Sequence, residues 1–211
     1  MQIPGIWIKT KQFYTSSTVL GAKRKAEHKA GLELLKQGLF ECYNLKTDFL
    51  SDDSDAQHVR ENCEIVIENG PHGKPFLAGF PDIHFNISHC DGLAVCAIHS
   101  RPVGIDVERI RPCQDSLLRR VLTEKERRQV LAAGGKEAQE QCFFRFWTLK
   151  ESYLKAVGCG ITVPLTDVEF ELADDGTNRI VCSAPGYSFW QEQISQDIIL
   201  SVCAAIDHSD S

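Results

Sequence analysis

The sequence predicts an α+β fold, and three observations carry the prediction. Segments with helical spacing flank a block of short alternating strands. The C-terminal part reads as a meander of strands. Nowhere do strands and helices alternate regularly as a β-α-β fold requires. With 211 residues, 43% of them hydrophobic, the chain can build one core or two small packed lobes.

Taken in order, MQIPGIWIKTKQ predicts a first strand over Ile3 to Ile8. STVLGAKRKAEHKAGLELLKQGLFECY predicts a helix from about residue 18 to 42, with Leu32, Leu35, Leu39 and Phe40 as its core side. KTDFLSDDSDAQHVREN is polar and acidic and reads as a surface loop. CEIVIENGPHGKPFL gives a short strand and a Gly/Pro turn that holds Lys74 between Gly73 and Pro75. In HFNISHCDGLAVCAIHSRPVGIDVERI, strands at Phe85 to His89, Leu93 to His99 and Val103 to Glu108 are joined by the turns Cys90-Asp91-Gly92 and Ser100-Arg101-Pro102. Thr123 and Glu126 have capping-box spacing and open a helix to about Ala133. FRFWTLKESYLKAVG predicts a helix over 144–158. VEFEL, RIVCS, YSFWQEQ and IILSVCAAI complete the meander.

Composition narrows the function. No run of 18 apolar residues occurs, so no membrane partner is expected, and the N-terminus lacks the apolar stretch of a signal peptide. The nine cysteines are odd in number and include no C-x-x-C, which fits reduced thiols in the cytoplasm better than disulfides or zinc. A net charge of −6 argues against nucleic acid as a partner. No internal repeat is visible.

Two charge placements ask for an explanation. On a helix with about 100° per residue, Phe143, Phe144, Phe146, Tyr153, Leu154 and Val157 share one broad arc with Trp147. Lys150 and Glu151 fall inside that arc and Lys155 at its rim, while Arg145, Ser152 and Ala156 point the other way. A Glu151–Lys155 helical ion pair explains Lys155 but not charges among aromatics, which need partners such as a metal or a phosphate. In GIDVE, period two sets Val103, Ile105 and Val107 on one face and Gly104, Asp106 and Glu108 on the other. The two carboxylates lie roughly 6–7 Å apart at their α-carbons, and at an effective dielectric near 20 they repel by about 2–3 kcal/mol. Solvent can relieve that, or a divalent cation can. Hard oxygen ligands suggest Mg²⁺, with Glu151 completing the set. Gly104 on the same face leaves room for close approach. Lys23, Arg24, Lys25, His28 and Lys29 cluster on the first helix, either as a solvated end or as a phosphate clamp. Arginines from Arg101 to Arg128 suit either an acidic partner or an ordinary surface.

Together GIDVE and WTLKESYLK, some forty residues apart, resemble the signature of the 4′-phosphopantetheinyl transferase superfamily. HGKP (His72 to Pro75) and FNISH (Phe85 to His89) resemble its larger, surfactin-synthetase-activating type. The resemblance covers roughly residues 72–160. It implies a monomer of two similar lobes related by a pseudo-twofold, each a small mostly antiparallel sheet packed with a long helix. The lobes are residues 1–101, for coenzyme A adenosine and phosphate contacts, and 102–211, for metal and catalysis. By motif match, Asp106, Glu108 and Glu151 would hold Mg²⁺ on the pyrophosphate of coenzyme A. Lys150 and Lys155 would lie beside that pyrophosphate. Lys74, Pro75, Ser88 and His89 would contact the adenosine and its 3′-phosphate, and Lys25, His28 and Lys29 the phosphates. The implied reaction transfers the phosphopantetheine arm to a serine of an apo acyl or peptidyl carrier protein, with Glu151 as base and Lys155 stabilising the leaving diphosphate. A Mg²⁺-dependent phosphohydrolase and a non-catalytic coenzyme A or carrier-protein module are the alternatives.

Overall fold

The computed structural model describes residues 5–14, 20–46, 65–160, 163–173, 177 and 179–206. The expected strand start at Ile3, the helix start at residue 18 and most of the acidic segment lie outside these. The first half contains strand β1 (Trp7–Gln12), helix α1 (Leu20–Tyr43), the small hairpin β2 (Ile67–Asn69) and β3 (Pro75–Leu77), and the hairpin β4 (His84–Cys90) and β5 (Leu93–His99). The second half contains β6 (Val103–Arg109), α2 (Asp115–Val121), α3 (Glu124–Ala132), α4 (Lys136–Val157), the small hairpin β7 (Phe170–Leu172) and β8 (Ile180–Cys182), and the hairpin β9 (Tyr187–Ser195) and β10 (Ile198–Ala205).

The two halves repeat one topology. Each runs strand, long helix, small hairpin, long hairpin, the second half inserting α2 and α3 before its long helix. Each three-stranded antiparallel sheet inserts its last strand in the middle, in the orders β1-β5-β4 and β6-β10-β9. The sequence carries no visible repeat because the apolar pattern, not residue identity, is what recurs.

Period two gives each sheet two apolar faces. Ala94, Cys96 and Ile98 of β5 pack under Leu34, Leu35 and Leu39 of α1. The alternate residues Val95 and Ala97 meet Val103, Ile105 and Val107 of β6 and Leu200 and Val202 of β10, so the halves share one apolar layer. On the far side α4 adds Phe143, Phe144, Phe146 and Leu149 against Ile199 and Phe170. At about 25 cal/mol per Å² such layers dominate the stability. Among the described residues no helix is long and apolar enough to cross a membrane, and the described cysteines are all free.

Several expectations change. β1 starts at Trp7 and runs to Gln12. α4 starts at Lys136, and α2 was not foreseen. Phe40 is 51% exposed, because α1 turns Leu34 rather than Phe40 toward the sheet. Ser152 and Ala156 are buried, because α4 is covered on both sides.

Candidate active site between the two halves

The site begins at Gly104. A Cβ there would overlap the Ser152 carbonyl oxygen and the Ala156 amide nitrogen, and would stand 2.9 Å from the Lys155 carbonyl carbon. The room left by the missing side chain is therefore filled by the backbone of α4 itself. That contact buries Ser152 and Ala156 against β6. It also brings Glu151 and Lys155, on the adjoining face of the same turns, beside Asp106. Gln191 fixes the helix from the other side, donating to the Arg145 carbonyl (2.9 Å) and the Ser201 hydroxyl (2.9 Å), while Thr148 and Ser201 share a hydrogen bond of 2.7 Å.

β4 and β6 are edge strands of their sheets, and they meet through side chains. The amide of Ile105 donates to Asn86 Oδ1 at 2.9 Å. Ser88 Oγ donates to Asp106 Oδ1 at 3.0 Å. Lys155 Nζ donates to Asp106 Oδ1 (2.6 Å), Ser88 Oγ (2.9 Å) and the Ile105 carbonyl (3.2 Å). Asp106 is buried, and its Oδ2 has no hydrogen-bond partner. Glu108 pairs with Arg111 at 2.7 Å, whose guanidinium lies 4.9 Å from the Phe144 ring centre.

Two cavities meet at Glu151 and Lys155. One, of about 290 Å³, is lined by Ser88, His89, Asp106, Glu108, Trp147 and both shared residues. The other, of about 260 Å³, is lined by His72, Lys74, Pro75, Asn86, Leu154, Gly158 and Leu165 with the same two. Burial pushes the Glu151 carboxyl above the usual range, the Asp106 charge pushes it further, Lys155 opposes, and Glu108 adds. Among the described residues no three His, Cys, Asp or Glu side chains are grouped to hold a metal as they stand. One Asp106 oxygen faces the Lys155 ammonium, and Glu108 faces Arg111.

Other expected residues sit in varied places. Lys74 lines the smaller cavity, but its ammonium is committed to the carbonyls of Val103 (3.1 Å) and Ala156 (2.8 Å), strapping the β2–β3 turn to β6 and to the end of α4. Burial lowers its pKa to about 8. His89 lines the larger cavity, with Nδ1 3.5 Å from Oε2 of the buried Glu27. Lys25, His28 and Lys29 are exposed and line neither cavity, since α1 turns Glu27 and Ala30 toward the sheet.

Lys150 requires correction. It was expected beside the diphosphate with Lys155, yet it lines neither cavity. It is fully buried, its Nζ 2.7 Å from Glu126 Oε2, the Leu165 carbonyl and the Val168 carbonyl. A 100° step along the helix turns it away from Glu151. The sequence reading also missed Asn86 and Trp147 as site residues; Asn86 alternates with Ser88 in FNISH, a signal that was available.

Parts of the chain match known proteins. Residues 102–203 match the family model described as the 4′-phosphopantetheinyl transferase superfamily. A Bacillus subtilis 4′-phosphopantetheinyl transferase is 38% identical over 105 residues, 50% of this chain and 46% of that protein. The 4′-phosphopantetheinyl transferase HetI of Nostoc sp. is 35% identical over 151 residues, 69% of this chain and 62% of that protein. A crystal structure of a holo-(acyl-carrier-protein) synthase from Bacillus anthracis, in complex with coenzyme A (3′,5′-ADP), is 26% identical, with a TM-score of 0.41 over 49% of this chain and 94% of that one. The chain spans about half the length of the curated relatives it matches first.

Proposed function

We propose that this chain, whose residues 102–203 match the family model of the 4′-phosphopantetheinyl transferase superfamily, is a member of that superfamily and transfers the 4′-phosphopantetheine arm of coenzyme A to a serine of an apo acyl or peptidyl carrier protein, releasing 3′,5′-ADP. The observation that carries this reading is the convergence of Asp106 and Glu108 from β6 with Glu151 and Lys155 from α4 on one cavity between the halves. The smaller cavity, which shares Glu151 and Lys155, suits the nucleotide end. In this reading residues 1–101 hold the adenosine and 3′-phosphate beside Pro75, Ser88 and His89, and residues 102–211 supply the reacting groups. All four charged residues come from one chain, in keeping with a monomer.

A divalent cation fits the donor set. The orphaned, buried Asp106 Oδ2 is an oxygen in need of a partner, and Glu151 and Glu108 border the same space. Asp106, Glu108 and Glu151 would hold Mg²⁺, which when bound supplies positive charge to the diphosphate.

The rest follows from the side chains. The carrier serine oxygen forms a bond to the β-phosphorus of coenzyme A, and the bond from that phosphorus to the bridging oxygen of 3′,5′-ADP breaks. Glu151, its carboxylate made more basic by burial and by Asp106, accepts the serine proton. Lys155, already between Ser88 and Asp106, neutralises the charge that develops on the leaving 5′-phosphate of 3′,5′-ADP. Positioning and charge neutralisation do most of the work, as in phosphoryl transfer generally. Incubation with coenzyme A, Mg²⁺ and apo carrier proteins, followed by mass spectrometry, should show one phosphopantetheine group added per carrier. Free phosphopantetheine without a modified carrier would favour hydrolysis instead. Bound coenzyme A with no turnover on any carrier would favour a binding module.

A further inference from the structure

Lys150 and Glu126 form a buried ionic strut that the transfer chemistry leaves unused. Both side chains are fully excluded from solvent. An ammonium has three N–H groups, and Lys150 has three acceptors: Glu126 Oε2, the Leu165 carbonyl and the Val168 carbonyl, each at 2.7 Å. None remains for a phosphate. Glu126 is equally committed. Its Oε2 also accepts from the Thr123 amide (2.7 Å) and its Oε1 from the Phe170 amide (2.8 Å). The capping glutamate of α3 thus ties together α3, α4, the segment 163–168 and β7.

Two ends of this strut reach the site. Lys150 is joined through the backbone to Glu151, which borders both cavities. Leu165, whose carbonyl Lys150 holds, lines the smaller cavity together with Val163 and Glu151. The strut therefore sets the span between the Glu151 face of α4 and the cavity wall at 163–165.

We propose that Glu126, acting through Lys150, is a positioning residue for the transfer reaction: the pair fixes the width of the coenzyme A cavity at Leu165 and the aim of Glu151, and neither side chain touches the ligand. The proposal rests on the transferase reading above.

The competing possibility is that Lys150 contacts the diphosphate directly, and a double-mutant cycle separates the two. Glu126→Gln, Lys150→Met and the double variant are compared with the unaltered chain. All are measured well below their melting temperatures, with coenzyme A affinity from calorimetry and kcat and KM from carrier modification. Positioning predicts that both single variants weaken coenzyme A binding about tenfold or more and lower kcat by about 100-fold, the scale of a 1 Å misplacement. It also predicts an unchanged KM for the carrier, and a double variant no worse than the worse single one, because both break one strut. Were Glu126→Gln to leave coenzyme A affinity and kcat intact while Lys150→Met lost them, Lys150 would be a ligand contact and the proposal would be wrong. Folded single variants with unaltered affinity and kcat would reduce the strut to stability alone and also overturn it. Should Glu126→Gln fail to fold, Glu126→Asp keeps the charge but is one methylene short, and is expected to move the same two quantities in the same direction. Failure of the unaltered chain to modify any carrier while still binding coenzyme A would count against the transferase reading, with the binding half of the cycle still deciding the strut.

Discussion

Alanine at position 104 tests the contact on which the site is built. The added Cβ would stand 2.9 Å from the Lys155 carbonyl carbon and would overlap backbone atoms of Ser152 and Ala156. Carbon atoms rest at about 3.5–4.0 Å, so α4 must withdraw by about 1 Å. No rotamer can relieve the clash, since every atom met belongs to a helix backbone pinned on its far side by Gln191. Overpacking costs about 1–3 kcal/mol, and a backbone clash belongs at the upper end. At about 2–4 °C per kcal/mol for a chain of this size, Gly104→Ala should lower Tm by about 6–12 °C. The same shift carries Glu151 and Lys155 away from Asp106, so turnover of the folded variant should fall by about 100-fold. Calorimetry and carrier modification at 15 °C measure the two effects separately. A variant melting within a degree of the unaltered chain and modifying carrier at full rate would refute the idea that β6 and α4 meet at Gly104 to assemble the site.

Further outcomes follow from the charges. The folded-state pKa of Glu151 is raised above 4.5, so the stability it allows is fully present below pH 4.5 and is lost as pH rises through the raised value. Without divalent cations, Glu151→Gln should therefore melt higher than the unaltered chain at pH 7.5, with the gain shrinking toward pH 4.5; a pH-independent difference would contradict this. Lys74 has a folded pKa of about 8 against an ordinary 10.5, so its contribution grows as pH climbs through that window. The Tm advantage of the unaltered chain over Lys74→Met should thus widen between pH 7.5 and pH 10, as calorimetry at the two values would show. Gln191→Leu leaves the Ser201 hydroxyl and the Arg145 carbonyl short of a donor and should cost about 1–3 kcal/mol in urea unfolding.

Much of this was legible because local patterns determine it. The alternation in GIDVE places Gly104, Asp106 and Glu108 on one strand face, and in β6 Val103, Ile105 and Val107 join one apolar cluster while Gly104 meets α4 and Asp106 and Glu108 border the larger cavity. The spacing of Thr123 and Glu126 announces a capping box that forms with both reciprocal bonds. The turn predicted at Cys90-Asp91-Gly92 does join β4 to β5, with Cys90 itself pairing with Leu93. What stayed hidden depends on partners distant in sequence. A helical wheel divides α4 into an apolar and a polar side, but α4 is covered by β6 on one side and by α3 and the 163–168 segment on the other. Ser152, Ala156 and Lys150 are therefore all buried. The partner of Lys150 is a capping glutamate, and nothing local signals that such a residue also carries a buried charge pair. Phe40 misled because a large apolar residue on a helix need not face the core.

The central claim is that Asp106, Glu108 and Glu151 act on one hard cation together with the diphosphate of coenzyme A. Counting bound Mn²⁺ by electron paramagnetic resonance, in the presence of coenzyme A, tests it most directly. The account predicts one tight Mn²⁺ per chain, weakened at least about tenfold by Asp106→Asn and again by Glu151→Gln. Stoichiometric Mn²⁺ binding unmoved by either substitution would place the metal elsewhere and contradict the site.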